Sequence, residues 1–274
     1  MRTHMTLRAL TLGVLLGLSA FAAQCGGTGA TPPGVAPKAN GAPARLSPQP
    51  SAPPLFEAVK KGDVYELKRL LAGGADPNVY NDIGVTPLDV AVAKGDAETI
   101  RALLAGGADP NAEMQTSGDT ALTVAVKLRD PLVALLLLDK GADVNLRPKS
   151  EHGAAALHVA ARNGDLEMLN LLLSRGAEPD VRDARGNTPL MTGAEYTPVI
   201  EALVAKGADV NARNEAGVTP LRSAVSSTEA LRILIGHGAD VNARNKAQWS
   251  VLEEALLRGC PDAVNILKQA GAAE

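Results

Sequence analysis

The most constraining feature of this 274-residue chain is that it repeats itself. Gly-Ala followed by Asp or a close substitute recurs at Gly74, Gly107, Gly141, Gly176, Gly207, Gly238 and Gly271, at intervals of 33, 34, 35, 31, 31 and 33 residues. A second register runs in step. Leu55, Leu88, Leu122, Leu157, Leu190, Leu221 and Leu252 are each followed three residues on by Ala58, Ala91, Ala125, Ala160, Gly193, Ala224 and Ala255. Two registers sharing one period call for stacked, similar units, each burying its apolar face on its neighbours, so that the size of the domain is a number of units.

The residues say what a unit is. Thr86-Pro87-Leu88, Thr188-Pro189-Leu190 and Thr219-Pro220-Leu221 put an N-cap acceptor before a proline that has no N–H to waste, so a helix starts there. Weaker copies are Thr120-Ala121-Leu122, Ala155-Ala156-Leu157-His158 and Ser250-Val251-Leu252. The small residue three after the leucine lets neighbouring units approach, where a larger side chain would overpack the stack. A second helix carries Leu70-Leu71, Leu103-Leu104, Leu137-Leu138 or Leu172-Leu173, pairs expected to face the neighbouring units and supply the core. It stops at the glycine of Gly-Ala-Asp, which takes the left-handed cap conformation cheaply. Asn78, Asn111, Asn145, Asn211 and Asn242 then turn the chain into the next unit.

These residues resemble the ankyrin repeat, a β-turn followed by two antiparallel helices with the motif T-P-L-H-x-A. The resemblance covers residues 54 to 274. It implies an all-α solenoid with short β-hairpin turns, in about seven units spanning 54–80, 81–112, 113–146, 147–181, 182–212, 213–243 and 244–274. The first and last units read as polar caps, through Lys60, Lys61, Glu66, Lys68 and Arg69 at one end and Lys268 at the other. Units five and six are two residues short, at 195–198 and 226–229. Unit four has the longest hairpin, with Arg147, Pro148, Lys149, Ser150, Glu151 and His152, and a local change in curvature is expected there.

Composition fits a thin stack. There are 47 Ala and 37 Leu but only two Phe, three Tyr and one Trp, which favours closely packed helices over a sandwich or barrel. A net charge of -3 leaves no cationic excess for a phosphate backbone, so nucleic acid is not an expected partner. Arg2 and Arg8 precede an apolar and small-residue run from Ala9 to Ala23, which reads as an export signal over 1–23 and is too short to span a bilayer. Eight of the 18 prolines fall between Pro32 and Pro54, so residues 24–53 read as a semi-extended linker. Cys25 resembles the lipidated cysteine at the start of bacterial lipoproteins, although Gln24 stands where a small residue is usual. The other reading is an ordinary cleaved signal that leaves Cys25 unpaired.

No pattern in the chain calls for catalysis, a cofactor or a metal. Phosphate-loop, dinucleotide and nucleophile-elbow motifs are missing, and the recurring glycines are explained as caps. His158 occupies the histidine position of the repeat motif, and Cys260, at the start of the last helix, has no evident base beside it; both read as structural. The resemblance implies a non-enzymatic protein-binding module whose partner lies in a concave face of hairpin tips and first helices. Carried over unit by unit, that face comprises Asp82, Ile83, Val85, Ala93 and Lys94; Thr116, Ser117, Asp119, Lys127 and Leu128; Glu151, His152, Arg162 and Asn163; Ala184, Arg185, Asn187, Glu195 and Tyr196; Glu215, Ala216, Val218, Ser226 and Ser227; and Lys246, Ala247 and Trp249. Tyr196 and Trp249 are the expected anchors, since aromatics dominate binding hot spots. Trp249 also has a plain structural reading, closing the last hairpin. Arg147, Lys149, Arg182, Arg185, Arg213, Arg244 and Lys246 make the later hairpins basic, so a partner with an acidic surface would be steered there; the other reading is a plain solvated hairpin, since Asn-Ala-Arg is close to the pattern of the family the chain resembles. Taken together, the expectation is a monomeric scaffold acting in the periplasm or at the cell envelope. The alternative is a secreted effector or toxin-associated protein acting on a host or competitor.

Overall fold

The computed structural model describes residues 54–149 and 153–273; the expected signal, linker and Cys25, together with Glu151 and His152, lie outside the described residues. Fourteen helices pair into seven units among the described residues. They are α1 (Pro54–Lys61) with α2 (Val64–Ala72), α3 (Pro87–Lys94) with α4 (Ala97–Ala105), α5 (Ala121–Lys127) with α6 (Pro131–Asp139) and α7 (Ala156–Arg162) with α8 (Leu166–Ser174). The remaining pairs are α9 (Pro189–Thr192) with α10 (Thr197–Ala205), α11 (Pro220–Ser223) with α12 (Thr228–Gly236) and α13 (Val251–Leu257) with α14 (Pro261–Gln269). First helices stack on first helices and second on second along the chain, giving two layers. The connecting turns are not continuous hairpin strands: they carry two isolated bridges among the described residues, Glu113 with Thr120 and Arg244 with Ser250.

Local chemistry sets both helix starts in most units. Thr86, Thr120 and Ser250 form reciprocal capping boxes with Asp89, Thr123 and Glu253. The second helices have caps of their own: Asp63, Asp96, Asp130 and Asp165 each accept from the backbone N–H three residues on. Their ends follow one scheme. Gly74, at φ 87, donates to the Leu71 carbonyl while Ala75 donates to that of Leu70, closing a left-handed cap that only glycine adopts without strain. In units five and six the missing residues are taken from the last turn of the first helix, so α9 and α11 have four residues each.

The core differs from the expected leucine pairs. Each internal second helix carries two fully buried apolar residues three apart, Ile100 with Leu103, Ala134 with Leu137, Leu169 with Leu172, Ile200 with Leu203 and Leu231 with Leu234. Helical period puts i and i+3 on one face, whereas adjacent residues diverge by about 100°. The second leucine lies further out in three of the four pairs, with Leu71, Leu104 and Leu138 half-buried against the core, whereas Leu173 is buried together with Leu172 as expected. A Cβ on Gly106 would lie 2.7 Å from Leu71 Cδ1. The small position of the first helix behaves as expected. A Cβ on Gly193 would come within 3.0 Å of the Ala161 Cβ in the preceding unit and 2.8 Å of Val199 Cγ1.

The last unit is not the polar cap expected. Leu267 continues the buried leucine series, but Leu256 and Leu257 are 57% and 70% exposed. Val92, Val126 and Val225, which hold the position of Leu256 in other units, are buried by the unit that follows them.

Candidate protein-interaction face

Much of the polar edge of the stack is consumed in joining units. Asn78 donates to the Gly107 carbonyl at 3.1 Å and accepts from the Asp109 N–H at 2.8 Å, so one side chain clasps the next unit twice. Asn111, Asn145, Asn211 and Asn242 repeat the pair of bonds on Gly141, Gly176, Gly238 and Gly271 and on the amides of Asp143, Glu178, Asp240 and Ala273. These asparagines were read from sequence only as turn residues. Asp180 stands where the series needs a sixth asparagine, accepts from the Asp209 N–H, and cannot donate to a carbonyl.

The hairpin arginines are similarly engaged. Arg182 donates to the carbonyls of Gly186 and Arg213, Arg213 to that of Arg244, and Arg244 to that of Gln248. Arg222 joins units six and seven through the Trp249 carbonyl at 3.1 Å and Glu254 at 2.5 Å. Lys94 caps α1 by donating to the carbonyls of Val59 and Lys60, and Arg129 donates to that of Asn163. Of the seven hairpin cations, Arg182, Arg213 and Arg244 are thus committed to main-chain acceptors, which leaves Arg147, Lys149, Arg185 and Lys246 without such a bond among the described residues.

The expected face divides accordingly. Val85 is 2% exposed, and Ala93 and Leu128 are also buried, so these three belong to the core: the β-position before the N-cap and the end of the first helix turn toward the neighbouring unit. Ile83 and Val218 are partly buried. Asn187 is held by Asp183 and Asn214, and its carbonyl receives His158 Nε2 at 2.9 Å. Asp82, Arg185, Glu215 and Lys246 are exposed, with no side-chain hydrogen bond or ion pair among the described residues. Trp249 is 43% exposed on the last hairpin. Tyr196 lies at the N-terminus of α10, in the turn between helices, and its ring covers Gly164 of the preceding unit so closely that a Cβ there would be 2.6 Å from Cδ1. It is thus an inter-unit spacer with one face left open, 40% exposed.

Thr116, Ser117, Asp119, Lys127 and Arg162 do come together, around a cavity of about 750 Å³ between the hairpins of units three and four. Lys127 Nζ bridges to both Asp119 oxygens at 2.6 and 2.7 Å, tying the end of α5 to its own hairpin. Glu113 accepts the backbone N–H of Lys149 across the gap at 3.2 Å. Among the described residues no group of three or more His, Cys, Asp or Glu could hold a metal ion, and no helix is long and apolar enough to cross a membrane.

Two buried titratable groups sit behind this face. Burial pushes the Asp89 carboxyl up from 3.8 to about 6, against the two bonds it accepts from Thr86. Burial also lowers the His158 pKa, keeping the imidazole neutral. Among the described residues its Nδ1 has no hydrogen-bond partner, and the N-cap of α7 is Ala155, which has no hydroxyl to offer. The converse defect lies one unit on, where Thr188 Oγ1 is buried unpartnered opposite Met191.

The family model for ankyrin repeats in three copies matches residues 55–148, 157–245 and 193–273. The chain belongs to the ankyrin-repeat family. The ankyrin repeat domain of Bcl-3, described as a unique member of the IκB protein family, superposes with a TM-score of 0.69 at 31% identity, covering 80% of this chain and all of that one. The human ASB11 ankyrin repeat domain gives 0.66 at 27% identity, covering 81% of this chain and 99% of that one. Among curated proteins, human ankyrin repeat domain-containing protein 63 is 42% identical over 81 residues, 28% of this chain and 21% of the relative. Human B-cell lymphoma 3 protein is 33% identical over 149 residues, 52% of this chain and 33% of the relative. The chain thus spans about a fifth to a third of these curated relatives. Ankyrin repeats are protein–protein interaction scaffolds.

Proposed function

We propose that this ankyrin domain is a non-enzymatic scaffold that binds a partner protein on its hairpin and first-helix face, acting in the periplasm or at the envelope of a bacterial cell. The signal read at 1–23 would export it and the linker at 24–53 would tether it, with Cys25 as the point of lipid attachment. The observation that carries the binding face is the division of labour along it. Asparagines and arginines at the edge are spent on neighbouring units, while Asp82, Arg185, Glu215, Lys246 and the indole of Trp249 project without a structural task. Exposed side chains with no internal role on a rigid support are where recognition is built at little cost to stability.

The test is photo-crosslinking of the full chain in its native envelope, with the photoreactive group at Lys246 or, as a control on the opposite layer, at Arg232. The expected result is one protein captured from Lys246 and not from Arg232, with capture reduced in Trp249→Ala plus Arg185→Glu. Equal capture at both positions, or none, would overturn the assigned face. Fractionation and labelled fatty-acid incorporation, compared with Cys25→Ala, address the address itself: accumulation in the medium would favour a secreted effector.

A further inference from the structure

We propose that the cavity between the hairpins of units three and four is a receptor for an acidic peptide segment of the partner, an inference that rests on the protein-binding reading above. At about 750 Å³ the cavity is in the size range of sites that enclose a small ligand or a few residues of peptide. Its floor is apolar: Met114 and Val159 are each 6% exposed, and Ala154 lies beside them. Among the described residues its rim carries three cations, Lys127, Lys149 and Arg162, against two acids, Glu113 and Asp119.

The bonding of those five groups decides what is left over. Asp119 is taken up by Lys127, and Glu113 by a backbone N–H of the opposite hairpin. The Arg162 guanidinium and the Lys149 ammonium have no hydrogen bond or ion pair among the described residues. Arg129, Arg182, Arg213 and Arg222 all donate to main-chain carbonyls of the next unit, and Arg244 to one in its own hairpin. Arg162, exposed at the end of α7, does not. A planar fork of donors over an apolar floor matches a carboxylate carried on a chain that also has an apolar side chain to bury. The two fixed carboxylates on the rim argue against a dense polyanion, which they would repel, and for isolated acidic side chains spaced by apolar ones.

The experiment uses the full chain and a fluorescein-labelled peptide of alternating Glu and Leu, followed by fluorescence anisotropy at low salt. Binding is expected, together with a loss of about tenfold in Arg162→Gln, equivalent to roughly one charge-assisted hydrogen bond. Arg185→Gln, on the hairpin of unit five, should bind as wild type does. Competition by inorganic tripolyphosphate should be weak. No binding, equal binding of the peptide with Gln in place of Glu, an unaffected Arg162→Gln, or displacement by tripolyphosphate at peptide-like concentrations would each overturn the proposal. Circular dichroism of Arg162→Gln guards against a folding artefact. If the Lys246 crosslink still captures its partner in Arg162→Gln undiminished, this receptor fails while the scaffold reading stands; if wild type captures nothing, the scaffold reading itself fails.

Discussion

Replacing Asp89 with Asn should stabilise the protein at neutral pH and leave it unchanged in acid. Asp89 is 1% exposed, and its Oδ2 accepts from the Thr86 N–H and hydroxyl, each at 2.8 Å. Burial nevertheless raises its pKa from 3.8 to about 6, and the charge of Asp119 adds to the rise. The folded chain therefore holds a proton that the unfolded chain has released between these values. Below the unfolded value the group costs nothing; stability falls as pH rises through the window, and the ionised carboxylate then costs about 3 kcal/mol, at about 1.4 kcal/mol per pH unit. Asparagine keeps the shape and the acceptor without the charge, and the bonds from Thr86 are already counted in the raised value. The expected gain is about 3 kcal/mol at about pH 7.5 and close to none at about pH 4. Urea unfolding followed by far-ultraviolet circular dichroism, across that range on both proteins, gives the difference directly and cancels the other carboxylates. A difference that stays flat with pH, or a variant less stable at neutral pH, would refute the idea that this buried carboxylate is ionised at a cost.

Three further substitutions probe the joints of the stack. Ala155→Thr supplies a hydroxyl to the unpartnered His158 Nδ1 and a cap to α7, and should raise unfolding free energy by about 1 kcal/mol; no gain would mean that Nδ1 is not the waiting acceptor. Asp180→Asn restores the missing donor to the asparagine series and removes a carboxylate whose pKa is raised by burial. A shift of the urea midpoint upward by the equivalent of about 1 kcal/mol is expected, larger at neutral than at acid pH. Gly193→Ala brings a methyl to 3.0 Å from Ala161 Cβ, and should lose about 1–2 kcal/mol in thermal unfolding despite alanine's better helix propensity.

What could be read from the sequence was whatever is decided within a few residues. The period, the Thr-Pro starts, the glycine stops and the small residue opposite the next unit are local statements, and they led to the right architecture. At Leu103-Leu104 and Leu137-Leu138 adjacency in sequence is not adjacency on a face, although Leu172 and Leu173 are both buried; the spacing of Ile100 and Leu103 is the signal to follow. The second-helix caps at Asp63, Asp96, Asp130 and Asp165 carry a local signal of their own, an acid following Gly or Arg just before the first four second helices. The roles of Asn78, Arg182 and Lys94 were beyond local reading, since their partners lie 29, 31 and 35 residues away. Tyr196 looked like a binding anchor because it is aromatic and near a turn; that its ring fills the space over Gly164 depends on how far one unit is rotated from the next.

The asparagine clasps also have a mechanical meaning. One clasp spans each junction, so a pull on the two ends loads the junctions in series, and a series linkage yields at its weakest member. That member is the junction of units four and five, where Asp180 keeps half the clasp, His158 Nδ1 is left without a donor, and Thr188 is left without an acceptor. Under tension the domain would extend first as a four-unit and a three-unit block joined by one slack hinge. Its first extension step would then be set by a single side chain, and Asp180→Asn would move that step to a higher force.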